Sequence, residues 1–288
     1  MRLSREIRFS LVLPDDLGTS EAKNSWAGWP STNAVVPFLV LRCMIEGEPD
    51  SNSGYLCDVS LIDELLRSIS TDLLICHPQR FPTGELMVRG IYGEFLKRWN
   101  HDSRLVSISL ATNPYLEFSI ILEQNMNLTA DDDVTIQLTQ QFEFSAAHRL
   151  HCSQLSDERN QQLFGKCNNR AGHGHNYVLD ITLSNQVEKL TGSIFPLGKF
   201  ETIVKEQVID RLDHKHLNHD VDHFSDLNPS VENIAAAVFE WLDGHFGEAI
   251  KTMLAPCKIF TISFKDSSAA ACPISSLAPA PNPFVKFK

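Results

Sequence analysis

The sequence has no CxxC pair, no apolar stretch long enough to cross a bilayer and no surplus of cations. Each absence excludes something. The seven cysteines, at 43, 57, 76, 152, 167, 257 and 272, are odd in number and widely scattered, which argues against a disulfide framework and against a cysteine-only zinc cluster. Most of them read as reduced, buried, small apolar side chains. The stretch from Ala34 to Leu41 falls far short of the ~20 apolar residues a membrane helix needs and is interrupted by Pro37, so no membrane span is expected. With 25 Lys and Arg against 36 Asp and Glu, the net charge of -11 offers no basic surface for nucleic-acid phosphates. The opening residues, MRLSREIRFSLVLPDD, carry an apolar run that stops at Pro14 and Asp15, shorter than a signal-peptide core. A cytoplasmic protein is expected.

What is present reads as one kind of unit written twice. The 288 residues are long for one small domain and comfortable for two. Arg8-Phe9-Ser10 parallels Glu143-Phe144-Ser145, and FLVLRCMI at 38–45 parallels YVLDITLS at 177–184; both pairs read as strands. A Ser/Thr-Gly turn follows in each half, then apolar positions at helical spacing: Ile62, Leu65, Leu66 and Ile69 in one, Phe200, Ile203, Val204 and Val208 in the other. Second helices open at Pro82-Thr83-Gly84-Glu85 and Pro229-Ser230-Val231-Glu232, the latter with Asn228 as the expected cap and Pro229 in the first turn. Alternating segments from 104 and 116 close the first half, and CKIFTISFK (257–265) closes the second.

The pattern predicts an α+β protein of two tandem strand-strand-helix-helix-strand-strand units, with antiparallel sheets and helices on one face. Residues 1–124 form the first unit, 125–133 a polar linker, 134–274 the second unit, and 275–288 a flexible tail. The uncovered faces and edges call for burial, which oligomerisation into a closed ring supplies.

The chemistry gathers in the second half. His173 and His175 lie two apart at the head of a strand, so their side chains share a face. His148 ends the preceding strand. Three neutral imidazoles with an open fourth position form the ligand set of a catalytic zinc. The plain alternative is a loop with two solvated histidines and a surface His148. Cys167, in LFGKCNNRAGHGHNY, stands in a Gly- and Asn-rich turn beside Lys166, where a nearby cation favours the thiolate and suits a general base; the alternative is an ordinary loop cysteine. Asp213-His214 reads as a proton-transfer pair, although the neighbouring His216, His219 and His223 leave open a second metal site or a polar helix end.

Together FSAAHRL, LFGKCNNRAGHGHNY, LDHKHLN and PSVENIA occur in an order and spacing that resembles the 6-pyruvoyltetrahydropterin synthases and the related 6-carboxytetrahydropterin synthases, over roughly residues 136–266. The interval of five residues between Cys167 and HGHNY is closer to the pyruvoyl enzymes. The resemblance implies a tunnelling fold that closes into barrels as a homo-oligomer. It implies zinc on His148, His173 and His175, Cys167 as the base, and Asp213 with His214 as a proton relay. The implied substrate is 7,8-dihydroneopterin triphosphate, undergoing triphosphate elimination with internal redox and no redox cofactor. Substrate contacts are implied for Ser230 and for Asp266, the latter beside Lys265 where the family usually has a glutamate. The positions that match the three histidines in the first half are Leu13, Ala34 and Val36, so that unit is expected to be metal-free, with Cys76-His77 opposite Asp213-His214. The carboxypterin reaction and a non-catalytic pterin- or purine-binding protein are the alternatives.

Overall fold

The computed structural model describes residues 1–11, 35–75, 81–122 and 134–247, together with the backbone of 258–266. The expected linker (125–133) and tail (275–288), Leu13, Ala34 and Cys76-His77 lie outside the described residues. Two compact units form: Met1–Thr139 with Ser184–Ile194, and Gln140–Leu183 with Phe195–Lys288.

In the first unit, β1 (Arg2–Ser10), β2 (Phe38–Glu46), β3 (Arg104–Asn113) and β4 (Leu116–Ile121) form an antiparallel sheet in chain order. Alternation decides which face is covered. Ile7, Phe9, Leu39, Leu41, Cys43, Ile45, Ile108 and Leu110 are buried. They lie beneath α1 (Val59–Ser70), whose Ile62, Leu66 and Ile69 face inward, and α2 (Gly84–Arg98), which turns in Val88, Ile91 and Phe95. The opposite strand positions carry a charge ladder: Glu6 and Arg42 are directly paired across β1 and β2 and bonded at 2.7 Å, and Arg42 reaches Glu117 at 2.6 Å. Burial pushes the Cys43 thiol up to about 12, as an inert core cysteine requires.

The helix starts follow capping chemistry. Asp58 caps α1 through the Ser60 amide, and Thr83 caps α2 through the Leu86 amide. Thr71–Ile75 continues α1 in π-helical turns.

Residues Ser184–Ile194 group with the first unit instead of the rest of the second half, and the contacts they make explain why. Thr83 donates to Gly192 O at 2.5 Å. Glu85, only 3% exposed, accepts from the Ser193 hydroxyl at 2.8 Å and from the Ile194 amide at 3.3 Å. Gly192, at φ +70, lies so close to Leu86 that a Cβ there would clash at 2.6 Å.

The second unit holds β5 (Ile136–His148) from Gln140 onward, α3 (Asp157–Phe164), a 3-10 turn (Gly165–Asn168) and β6 (His173–Asn185) as far as Leu183. Then come α4 (Leu197–Val204), π-helical turns (Lys205–Ile209) and α5 (Asp210–Leu212). The short elements β7 (Lys215–His216), α6 (Leu217–Asp220) and a 3-10 turn (Asp222–Phe224) lead to α7 (Val231–Leu242) and β8 (Lys258–Asp266). Strands run in the order β5, β6, β8, with β7 parallel to β5. Phe200, Ile203, Val204 and Val208 are all buried, as their spacing predicts. Three details differ from the sequence reading. A helix, α3, separates β5 from β6. One closing strand, β8, is present among the described residues. The cap of α7 is Ser230, whose hydroxyl oxygen accepts from the Asn233 amide, while Asn228 and Pro229 precede the helix.

Replacing Glu85 by Ala strips the Ser193 hydroxyl and the buried Ile194 amide of their acceptor. Urea unfolding should show a loss of about 1–3 kcal/mol, with a smaller loss for Glu85→Gln, which keeps an acceptor oxygen. An unchanged midpoint for Glu85→Ala would show that the clasp contributes nothing.

Candidate metal centre

β5 ends at His148, and the chain that follows has backbone groups to satisfy without a strand ladder. Asparagine side chains supply the partners. Asn218 takes both Arg149 groups, accepting from its amide at 2.8 Å and donating to its carbonyl at 3.0 Å. Leu150 N donates to Cys167 O at 2.7 Å. Asn228 accepts from His151 N at 2.9 Å, and Asn160 brackets Cys152 at 2.8 and 2.9 Å. Sequence reasoning missed Asn160 and Asn218 and gave Asn228 the cap of α7 instead of this role. The available signal was the residue type itself, a side chain that competes for backbone bonds.

This segment brings the 3-10 turn to the end of β5. Donor atoms of His148, Cys167, His173 and His175 consequently lie within 4.8 Å of one another, with His148 buried and the others half-buried. The imidazole centroids are 4.4 Å (His173 to His175), 4.8 Å (His148 to His175) and 5.2 Å (His148 to His173) apart.

Two observations test whether a metal fits. His148 Nδ1 lies 2.8 Å from Pro229 O, and a carbonyl can only accept, so Nδ1 carries the proton and Nε2 the lone pair. An imidazole held in this way by a backbone carbonyl is the usual state of a histidine ligand. His173 Nε2 and His175 Nε2 are 2.9 Å apart. Unprotonated, they repel unless a cation lies near both, and ligand nitrogens ~2.0–2.1 Å from a tetrahedral zinc sit about 3.3 Å from each other. The donor set fits zinc. Tyr177, stacked on Phe144 at 4.8 Å, sets its hydroxyl 3.4 Å from His148 Nδ1.

Gly174, between the two histidines, is not sterically constrained: a Cβ there would meet only Ala146 O, at 4.0 Å. The constrained position is Gly172. Its φ is +72, and a Cβ would lie 2.4 Å from His216 Nε2 and 3.1 Å from His148 O.

Asp213 and His214 form a separate dyad at 2.8 Å. It is fixed to Ser145 of β5 by Ser145 N to Asp213 Oδ1 (2.9 Å) and His214 N to Ser145 O (2.6 Å). The Ser145 amide, with help from His214, holds the Asp213 carboxyl below its ordinary range. His214 occupies the left-handed region at φ 56, and its imidazole is 84% exposed. The His216 and His219 rings lie 4.3 Å apart, tilted by 33°, and His223 packs on Phe224 and Trp241. Among the described residues these three build no further metal cluster. Ser230 is engaged in the α7 cap, and the Asp266 side chain lies outside the described residues.

A carboxyl whose folded pKa is depressed stabilises the fold above its unfolded pKa, near ~3.9 for aspartate, and that contribution disappears as pH falls through the folded value. Asp213→Asn should therefore be less stable than the parent at pH 7. The gap should close toward pH 3. Urea midpoints at the two pH values read it directly, and a gap that widens in acid would contradict this assignment.

The geometry coincides with a family match. The 6-pyruvoyl tetrahydropterin synthase family model matches residues 137–260, a stretch that contains all four donors. The 6-pyruvoyl tetrahydrobiopterin synthase of Drosophila melanogaster is 41% identical over 103 residues, 36% of this chain and 61% of its own length. The chain thus spans less than two thirds of that relative. The Homo sapiens enzyme of the same name is 40% identical over 104 residues, 36% of this chain and 72% of its own. The solved 6-pyruvoyl tetrahydropterin synthase of Caenorhabditis elegans is 33% identical, covers 46% of this chain and 90% of its own, and has a TM-score of 0.40. No helix among the described residues is long and apolar enough to cross a membrane. From the family-model match and the identity across most of the human sequence, the chain belongs to the 6-pyruvoyl tetrahydropterin synthase family.

Proposed function

We propose that this chain is a zinc-dependent lyase of the 6-pyruvoyltetrahydropterin synthase type, acting on 7,8-dihydroneopterin triphosphate. The observation that carries the proposal is the convergence of three imidazoles and one thiol within 4.8 Å, inside the family-matched stretch. His148, His173 and His175 hold the metal. Zinc so held supplies Lewis acidity to the hydroxyl-bearing side chain of the substrate and makes the adjacent C–H bonds more acidic.

Cys167, whose Sγ lies within 4.8 Å of the three imidazole donor atoms, takes a carbon-bound proton from that side chain. Loss of the triphosphate leaving group and internal transfer of reducing equivalents from side chain to ring complete the conversion to the pyruvoyl product. Asp213 orients His214, which serves as the proton relay; the left-handed backbone of His214 is the kind of strain found at working residues. Ser230 and Asp266 contact the pterin end.

The first unit is read as a degenerate repeat, residues 1–124 against 134–274. Its support is the shared hydroxyl cap at the second helix, Thr83 to the Leu86 amide and Ser230 to the Asn233 amide. Among its described residues no cluster of metal ligands is found. Homo-oligomers close the sheets into a barrel, in the cytoplasm.

Metal analysis of purified protein should give about one zinc per chain, and His173→Ala should lose it. A histidine variant that kept full zinc would remove that residue from the ligand set.

Incubation of zinc-loaded protein with dihydroneopterin triphosphate should release triphosphate and yield the pyruvoyl product by mass. Cys167→Ala should lower the rate by at least ~100-fold with zinc retained. Full activity in Cys167→Ala would eliminate the thiol as base. Acetaldehyde release would instead identify the carboxypterin reaction, and tight binding without product would identify a binding protein.

A further inference from the structure

Cys167 sits in a single 3-10 turn, Gly165–Asn168, entered through Gly165 at φ 51 and left through a long 3.3 Å bond from Asn169 N to Lys166 O. So short a turn has few internal bonds with which to hold its own orientation. The direction of the thiol is set from outside it.

Arg149 supplies that support. Its Nε reaches Asn168 O and its Nη2 reaches Asn168 Oδ1, each at 3.4 Å. His151 Nδ1 lies 3.0 Å from the same Oδ1 and 3.1 Å from Arg149 Nη2; that ring nitrogen donates to Oδ1 or accepts from the guanidinium, and either bond braces the pair at the residue that follows Cys167. Between these two side chains, Leu150 N holds the Cys167 carbonyl itself. Three consecutive residues thus grip two. The root of the Arg149 side chain is fixed as well, because Asn218 takes both its amide and its carbonyl. A planar guanidinium can span a backbone and a side-chain oxygen of one residue in a set orientation, whereas an ammonium acts as a point charge.

We propose that Arg149 is a positioning residue for Cys167, aiming its thiol at the point where His148, His173 and His175 meet. The inference rests on the reading of Cys167 as the base. It assigns to Arg149 neither a metal nor a substrate contact.

The test uses zinc-loaded full-length protein and compares the parent with Arg149→Lys, Arg149→Met, Asn168→Ala and the Arg149→Met/Asn168→Ala double variant. One readout is triphosphate release from dihydroneopterin triphosphate. The other is iodoacetamide alkylation of Cys167 relative to Cys152, resolved by peptide mass. Positioning predicts that Arg149→Met lowers kcat by about ten- to a hundred-fold with KM within about twofold, and that zinc stays bound. Cys167 alkylation should shift roughly severalfold against Cys152. Arg149→Lys should recover part of the rate, Asn168→Ala should reproduce the loss, and the double variant should lose no more than either alone. Unchanged kcat and unchanged Cys167 alkylation in Arg149→Met overturn the proposal. So does loss of zinc in that variant, or multiplied losses in the double variant. If the parent releases no triphosphate, the functional reading fails while the alkylation arm still decides the clamp.

Discussion

The chain that leaves β5 after His148 must satisfy its backbone without a strand ladder, and the rest of the site depends on how it does so. From Arg149 to Cys152 every step has an assigned partner: Asn218, the Cys167 carbonyl, Asn228 and Asn160. These partners come from α6, the 3-10 turn, the approach to α7, and α3. An unpaired buried backbone group costs about 1–3 kcal/mol, so the segment gathers four elements around one point. That point is where His148 ends the strand.

Once β5 is fixed, the metal-ligand geometry follows from two simple rules. The period of two on β6 turns His173 and His175 to the same face, and the acceptor-only Pro229 carbonyl decides which nitrogen of His148 faces them. Gly172 lets the chain enter β6 in a left-handed conformation against the His216 ring, where no side chain fits. The Cys43 and Cys167 thiols illustrate how placement decides chemistry. The first is sealed in a sheet core with its pKa pushed up to about 12, and the second is half-buried among three imidazoles.

Much of this was legible in the sequence, because the relevant signals are local. Alternation in FLVLRCMI, helical spacing at Ile62, Leu66 and Ile69, and the HGH triplet each encode a side-chain direction over a few residues. The asparagine clasp was not legible. His151 and Asn228 are 77 positions apart, and no periodicity marks a bond between a backbone amide and a distant side chain. The same holds for Glu85, which reads as an ordinary first-turn acid of α2 and instead ties down Ser193 and Ile194, more than 100 positions on. At α7 the sequence reading gave the cap to Asn228, whereas the hydroxyl of Ser230 takes it. Asn228 is committed to His151 instead, which leaves the Asn233 amide to Ser230.

The central claim is that three imidazoles hold the metal while the thiol beside them remains unligated. Zinc K-edge X-ray absorption on the purified protein tests it most directly. The account predicts a first shell of nitrogen and oxygen scatterers at ~2.0–2.1 Å with outer-shell scattering from about three imidazole rings. A sulfur shell at ~2.3 Å would make Cys167 a ligand instead of a base and would contradict it.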